Sequence, residues 1–272
     1  MDIKEYYRLK LLPFSNSPDE QFYYRSPEHE KAFFKIMHAI DNKLGLAIVV
    51  GDIGTGKTTI SRKLLNYLSS NENYEPALLI IIHSEISSEW LVKKIALQLG
   101  LEKMPDNKVD IINGISRRLM ELNEEGKNVV ILIDEANMLK SKEIMEELRG
   151  ILNIEPENTH LLTFVLFGLK ELENSLKLDM PLYERIAVKC TLNPMDFKST
   201  MGYIKYRLKV AGKETPLFDE KAVELIYKYS KGKPRLINIL CDNAMLEGFL
   251  TKKEIIDEKI VKQVLEDFGM GS

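Results

Sequence analysis

Residues 51–58 read Gly51-Asp52-Ile53-Gly54-Thr55-Gly56-Lys57-Thr58 and match the pattern G-x-x-x-x-G-K-[ST]. The apolar run Leu46–Val50 precedes this segment and the helical pattern Thr58–Leu68 follows it, which predicts a strand, a glycine-rich loop and a helix in that order. Glycines let several backbone N–H groups of such a loop point at a phosphate chain, and the helix directs the positive end of its dipole at the same anion. The segment therefore predicts a phosphate-binding loop.

The residue types within this loop indicate separate tasks. Lys57 is expected to reach the β- and γ-phosphates of a nucleoside triphosphate, and the Thr58 hydroxyl is expected to hold Mg²⁺. The predicted nucleotide-binding residues of this segment are Gly51, Asp52, Ile53, Gly54, Thr55, Gly56, Lys57, Thr58 and Thr59.

A second apolar run, Val129–Ile133, ends at the adjacent carboxylates Asp134 and Glu135. Asp134 is predicted to organise the water shell of Mg²⁺, and Glu135 is the predicted base that polarises a water for attack on the γ-phosphate. Acidic residues also favour helix N-termini through the helix dipole, which is the alternative for this pair taken alone. Beside a phosphate-binding loop, the pair predicts nucleotide hydrolysis.

Short apolar runs that do not alternate with polar residues predict strands covered on both faces, as in a parallel sheet. These runs are Leu46–Val50, Leu78–Ile82, Val129–Ile133, Leu161–Phe167 and the weaker Ile186–Leu192. Helical patterns lie between them at Thr58–Leu68, Ser88–Leu99, Val109–Leu122 and Ser141–Leu152. The alternation predicts an α/β fold, in which helices sandwich a parallel sheet.

The alternation stops near Pro194, and only helical patterns follow. They cover Phe197–Ala211, Asp219–Ser230, Pro234–Phe249 and Asp257–Phe268. We therefore predict two domains, an α/β core over residues 1–194 and a small all-helical lid over residues 195–272.

The composition is that of a globular chain, with 272 residues, 44% hydrophobic, 29% charged and a formal net charge of −3. It excludes a disordered or disulfide-stapled chain and gives no general attraction to nucleic acid or anionic membranes. Cys190 and Cys241 fit no metal spacing and predict buried free thiols in a reducing, cytoplasmic compartment. No run approaches the ~18 apolar residues that a membrane-spanning helix needs.

The run Leu161–Phe167 is expected to lie between the strands that carry the loop and the acidic pair. At its end, where a polar residue would help to place the attacking water, the chain has Leu169. Either the water is poorly held or another residue takes this role. We expect slow basal hydrolysis, below the ~1–100 s⁻¹ typical of kinases.

Two arginines complete the candidate set. Arg185 precedes the fifth run, and Arg235 follows Pro234 at the start of a lid helix. A guanidinium can stabilise the charge of a transferring phosphoryl group. From spacing alone, either residue is equally well an ordinary surface arginine.

Several motifs along almost the whole chain together resemble the AAA+ ATPases, and most closely the ExeA-like family of general secretion pathway protein A. They are Pro13-Phe14, Phe22-Tyr23, Gly45-Leu46 before the phosphate loop, Asp134-Glu135-Ala136-Asn137, Glu146-Glu147-Leu148-Arg149, Arg185-Ile186, Tyr203-Ile204, Arg207-Leu208, Ala211-Gly212 and residues 232–242. The last run, from Gly232-Lys233-Pro234-Arg235 to Asp242, is the most specific.

The resemblance to this family implies roles for individual residues that the spacing of the motifs does not indicate. Arg185 looks like the family's arginine finger, acting on ATP held by the next subunit, and Arg235 looks like the lid arginine that contacts the γ-phosphate in its own subunit. Pro13 and Phe14 resemble the part that helps to enclose adenine. The chain departs from the family pattern at two positions. Leu169 replaces the polar glutamine that is usual there. His83 stands where an asparagine often ends the second strand, and it either acts in a switch or has no such role.

The resemblance covers the motor portion of a family whose members often continue into a membrane segment and a peptidoglycan-binding domain. It implies an ATPase with ATP and Mg²⁺ as cofactors that assembles head to tail into a ring or filament. The leading expectation is that it remodels or positions a protein partner of secretion or pilus machinery, in the cytoplasm or peripherally at the inner membrane. The alternatives are an ATP-dependent DNA-binding regulator of the transposition or replication-initiator type and a plain nucleotide switch. The segment Met195–Arg235 contains ten basic and five acidic residues, and this excess of positive charge favours DNA binding. A helix face that contacts only solvent can have the same composition.

Overall fold

The computed structural model of the protein describes residues 2–17, 19–101, 105, 107–155 and 160–270. The chain folds into two compact units. The sheet unit comprises residues 31–53 and 57–192, and the helical unit comprises residues 1–30, 54–56 and 193–272.

The sheet unit is built on parallel strands. Its strands are β1 (Leu46–Gly51), β2 (Tyr74–Ile80), β3 (Asn128–Asp134), β4 (Leu162–Gly168) and β5 (Ile186–Leu192). Each pairs in parallel with its neighbours in the spatial order β2-β3-β4-β1-β5. The predicted α/β class, the strands apart from the bounds of β2, and the position of β4 between β1 and β3 are confirmed.

Helices pack against both faces of this sheet. They are α2 (Pro27–Asp41), α3 (Lys57–Ser69), α4 (Ser88–Gln98), α5 (Lys108–Glu124), α6 (Lys142–Leu152), α7 (Leu172–Leu176) and α8 (Met180–Tyr183). Leu46, Ile48 and Val50 of β1 belong to the core formed with α4, α5 and α6. Ala47 and Val49 belong to the core formed with α2 and α3. Successive residues of β1 thus bury opposite faces, which explains why this strand is continuously apolar.

Four elements of this unit differ from the prediction, namely β2, α2 and the short helices α7 and α8. β2 begins at Tyr74, before the predicted Leu78, because its first half carries Glu75 and Pro76 and so lacks an apolar run. Proline is tolerated there because β2 is an edge strand that pairs only with β3. Helix α2 was not predicted, although Pro27 stands in its first turn, where proline is favoured.

The helical unit contains the C-terminal helices that the sequence predicted. Its helices are α1 (Ile3–Tyr7), α9 (Phe197–Val210), α10 (Glu220–Ser230), α11 (Pro234–Leu250) and α12 (Glu258–Asp267). Asp196, Asp219 and Asp257 cap α9, α10 and α12, each by accepting a backbone N–H of the first turn. These caps satisfy N–H groups that have no partner within the helix, which fixes where each helix begins.

The N-terminal segment packs within the helical unit, whereas the predicted division placed residues 1–30 with the sheet. Tyr7, Phe14 and Phe22 are buried in the core that Leu208 and Ile237 also line. The phenol of Tyr7 donates to the carbonyl groups of Met245 and Lys253, both at 3.2 Å. The aromatic side chains of this segment follow neither helical nor strand spacing, so the sequence alone did not indicate which unit buries them.

Arg207 of α9 connects the N-terminal segment to the helices through hydrogen bonds. Its guanidinium, buried in the structure, donates to the carbonyl oxygens of Pro13 and Ser15 and to the Tyr203 hydroxyl. It also lies over the Phe22 ring, 4.7 Å from the centroid. A buried cation is tolerated when its donors are satisfied, and three acceptors and an aromatic face provide this here.

We expect Arg207→Ala to lower the free energy of unfolding of the helical unit by roughly 3 kcal/mol, because two carbonyls and a hydroxyl lose a charged donor. Amide hydrogen exchange of residues 9–22 should accelerate in this variant. The matched control is Lys205→Ala, which removes an exposed cation from the same helix. Equal unfolding of the two variants in urea would contradict the role assigned to Arg207.

Candidate functional site

The phosphate loop joins β1 to α3 as the sequence predicted. Gly51 ends the strand, Lys57 begins the helix, and both are buried. Gly54 and Gly56 adopt φ angles of 80° and 101°. This region of backbone space is open to glycine and strained for other residues, which explains why the spacing of the glycines matters.

The Lys57 ammonium is held at the carboxyl end of β1. Nζ donates to the carbonyl oxygens of Gly51 at 2.9 Å and Asp52 at 3.0 Å. Burial lowers the pKa of Lys57, while the nearby carboxylates of Glu135, Asp134 and Asp52 act to raise it. The predicted phosphate-binding cation and both predicted acids are therefore close enough to interact electrostatically.

Asp134 ends β3 and is 2% exposed. One carboxylate oxygen accepts the Glu135 N–H at 3.0 Å, and the other lies 3.4 Å from the Ser61 hydroxyl of α3. The same hydroxyl lies 3.0 Å from the Thr58 carbonyl oxygen. Ser61, which the sequence did not single out, thus connects the two predicted metal ligands, Thr58 and Asp134.

Glu135 has a left-handed backbone, with φ at 55°. This conformation is uncommon for a residue other than glycine, asparagine or aspartate and occurs frequently at functional sites. The side chain remains partly exposed, whereas Asp134 beside it is buried. The two adjacent carboxylates therefore have different environments and can perform different tasks.

The end of β4 receives a polar group from the short turn of helix, Ala136–Met138, that follows β3. The side-chain oxygen of buried Asn137 accepts the Leu169 N–H at 3.0 Å. Asn137 follows the acidic pair of β3, so its amide ties the acidic end of β3 to the end of β4. Sequence reasoning placed Leu169 correctly at this point but did not assign a role to Asn137.

The two predicted arginines are both exposed. Arg185 lies between α8 and β5, and its guanidinium makes no hydrogen bond or ion pair with the residues that the structure describes. Arg235 stands in the first turn of α11, and its backbone N–H donates to the Gly54 carbonyl at 3.3 Å. Within the helical unit, Arg235 therefore contacts the tip of the phosphate loop directly.

The predicted adenine-binding residues lie in the helical unit. Phe14 is 2% exposed and packs edge to face on Phe218, with 5.9 Å between ring centroids. The Pro13 carbonyl accepts from Arg207. The contact with adenine stays a prediction for both residues.

A buried histidine, which sequence reasoning missed, contacts the loop tip within the helical unit. His29 of α2 is 3% exposed, with Nδ1 2.5 Å from the Ser26 hydroxyl and Nε2 3.1 Å from the Thr55 carbonyl oxygen. Burial lowers the pKa of His29 to about 4, against a smaller opposing effect of the Thr55 hydrogen bond. The only sequence signal for it is its position in the first turn after Ser26.

A glycine-rich loop after a parallel strand, with a buried lysine close to an aspartate–glutamate pair, defines a P-loop protein of the nucleotide-binding class. The chain belongs to the AAA domain family, which residues 40–176 match.

The chain is 32% identical over 248 residues to general secretion pathway protein A of Aeromonas hydrophila, and the match covers 90% of this chain and 44% of that protein. The chain thus spans less than half the length of this relative. The resemblance to ExeA-like AAA+ ATPases is confirmed.

Solved structures share the fold at low identity. Cdc6p of Pyrobaculum aerophilum superposes with a TM-score of 0.71 and 16% identity, covering 94% of this chain and 70% of that one. The ORC1 protein of Aeropyrum pernix, solved in complex with DNA, has a TM-score of 0.67 and 17% identity, covering 96% and 69%. Among the described residues, none of the helices combines the length and apolar character needed to cross a membrane.

Proposed function

We propose that this protein binds ATP together with Mg²⁺ and hydrolyses it to ADP and phosphate. The observation that carries the proposal is the placement of buried Lys57, at the start of α3, and buried Asp134, at the end of β3, with Ser61 of α3 lying 3.4 Å from the Asp134 carboxylate. A cation for the phosphate oxygens and an acid for the metal are the groups that P-loop proteins bring to a triphosphate.

The donor set fits Mg²⁺, because the Thr58 hydroxyl and the Asp134 carboxylate offer hard oxygens and Ser61 lies within hydrogen-bond distance of both residues. Thr58 would hold the ion directly and Asp134 through its water shell. When bound, Mg²⁺ neutralises negative charge on the phosphate oxygens. The N–H groups of residues 51–59 and the Lys57 ammonium would bind the rest of the phosphate chain.

Glu135 is the proposed general base. Its carboxylate takes a proton from a water molecule whose oxygen attacks the γ-phosphorus, and the bond from that phosphorus to the β–γ bridging oxygen breaks. Lys57 balances the charge that develops on the bridging oxygen, and the products are ADP and inorganic phosphate. Because the end of β4 offers apolar Leu169 to the water, we expect slow turnover by the isolated protein.

We expect Glu135→Gln to bind ATP as the wild type does and to hydrolyse it about 10²–10⁴-fold more slowly, because the amide cannot take the proton. Lys57→Ala should lose ATP binding itself. Both are measured by fluorescent-nucleotide titration and phosphate release. Glu146→Gln, an exposed change on α6, is the matched control. Normal turnover by Glu135→Gln would exclude Glu135 as the base, and tight ATP binding by Lys57→Ala would contradict the site.

Arg185 is proposed to act on ATP held by a second copy of the chain. Arg185 is exposed and makes no hydrogen bond or ion pair with the residues that the structure describes, so its guanidinium is available to an adjoining subunit. Such a head-to-tail contact uses two different surfaces and therefore forms a ring or a filament. Arg235, whose backbone binds Gly54, is proposed to contact the γ-phosphate of its own subunit.

We expect Arg185→Ala to bind ATP normally and to lose hydrolysis by roughly 10³-fold, the smaller effect of an arginine finger. Mixing it with Lys57→Ala should restore part of the activity, because one variant supplies an intact site and the other an intact Arg185. Arg117→Ala, an exposed change on α5, is the control. Failure of the mixture to recover any activity would argue against a shared site.

The partner proposed for this ATPase is a protein of secretion or pilus machinery. The support is the identity to a protein named for the general secretion pathway, which extends over 90% of this chain. ATP-dependent assembly would remodel or position that partner, in the cytoplasm or peripherally at the inner membrane.

DNA is a second candidate partner, because the structurally similar ORC1 protein was solved in complex with DNA. The basic residues of Met195–Arg235 are the surface to consider. Arg207 is buried and engaged by carbonyl oxygens, so it does not belong to that surface. Lys198, Lys205, Lys209, Lys221, Lys228 and Lys231 are exposed.

If DNA is the partner, ATP-dependent binding to a duplex should weaken steeply with salt, because each neutralised phosphate releases counterions. The double substitution Lys205→Glu with Lys209→Glu should weaken binding by at least about tenfold at low salt. The double substitution Lys252→Glu with Lys253→Glu, outside this surface, is the control. An absence of retention on DNA at low salt with ATP present would falsify this candidate.

A further inference from the structure

Two groups hold the His29 ring by its two nitrogens, the Ser26 hydroxyl on one side and the Thr55 carbonyl on the other. We propose that His29 is a positioning residue of the phosphate loop, whose Nε2–H binds the Thr55 carbonyl and thereby turns the Gly56 N–H toward the bound phosphates. The inference rests on the proposed function, because it assigns the loop to a nucleotide.

The contacts leave one arrangement of ring hydrogens. A carbonyl oxygen only accepts, so the nitrogen that faces Thr55 must carry the hydrogen. With its pKa lowered to about 4, the ring is neutral at pH 7, and Nδ1 is then an acceptor for the Ser26 hydroxyl. That hydroxyl also accepts the His29 backbone N–H at 3.3 Å, so it uses its hydrogen and one of its two lone pairs on His29.

Peptide geometry transmits this contact to the loop. The Thr55 carbonyl and the Gly56 N–H belong to one planar trans peptide and point in opposite directions. A donor that fixes the carbonyl on the His29 side therefore directs the Gly56 N–H to the other side of the loop. A side chain on Gly56 would collide with Nε2 of His29, so the ring can approach because this residue is glycine.

Burial makes the contact specific. His29 is 3% exposed, and its ring packs edge to face with Tyr23 at 6.4 Å between centroids. Water is therefore a poor substitute for the missing donor when the ring is replaced. A residue needed only for packing could be replaced by an apolar side chain of similar size without changing how the loop binds phosphate.

The test compares ADP binding by the wild type, His29→Leu and His29→Gln in fluorescent-ADP titrations with Mg²⁺. We expect His29→Leu to bind ADP about tenfold more weakly, since a buried carbonyl loses its donor. His29→Gln should retain most of the affinity, because its amide can donate from near the position of Nε2. His38→Leu, an exposed histidine of α2, is the matched control and should bind as the wild type does.

Equal affinity of His29→Leu and wild type, or equally weak binding by His29→Gln and His29→Leu, overturns the inference. If the wild type and His38→Leu both fail to bind ADP, the proposed function itself is refuted, and this inference with it.

A second measurement uses only the wild-type protein, so it does not depend on whether a variant folds. The ¹⁵N chemical shifts of the His29 ring in the wild-type protein at pH 7 should report a neutral imidazole with the hydrogen on Nε2. A charged ring or a hydrogen on Nδ1 overturns the inference, because the Thr55 carbonyl would then lack the arrangement that orients Gly56.

Discussion

The parallel pairing of β3, β4 and β1 is the constraint from which the site follows. Parallel strands bring their carboxyl ends to the same edge of a sheet, so Gly51 and Asp134 reach one edge although their strands are not adjacent. Because both faces of the sheet are covered by helices, the interiors of β1 and β3 are apolar, and the polar groups of the site lie at the ends of these strands. The buried lysine and the acidic pair are found at these ends.

Sequence reasoning predicted the structural elements that a single segment signals on its own. The strand, loop and helix around residues 51–58 and the strand before Asp134 and Glu135 are contiguous motifs, and the interiors of β1 and β3 are apolar throughout, while the chemical roles of these residues stay predictions. It failed where the decisive partner is remote in sequence. The Ser61 hydroxyl meets the acidic pair at Asp134, 73 residues away, and the Asn137 amide meets the end of β4 at Leu169, 32 residues away.

The N-terminal segment shows the same limit on a larger scale. Its aromatic residues have no periodicity and are buried against the C-terminal helices, and Arg207, about 190 residues further on, binds the carbonyls of Pro13 and Ser15. By composition alone, Arg207 is one of the basic residues that could form a DNA-binding surface. In the structure, its guanidinium instead donates hydrogen bonds to backbone carbonyls. A charge count cannot separate a structural cation from a solvent-exposed one. Likewise, nothing in the sequence shows that His29 meets the phosphate loop at Thr55.

The central claim is that a triphosphate lies in the loop of residues 51–58 opposite the acid that organises the metal. A crystal structure with Mg²⁺ and a non-hydrolysable ATP analogue tests it most directly. The account predicts that Lys57 leaves the Gly51 and Asp52 carbonyls for the phosphates, with the ion between the Thr58 hydroxyl and Asp134. An analogue bound elsewhere, with Lys57 still on those carbonyls, would contradict it.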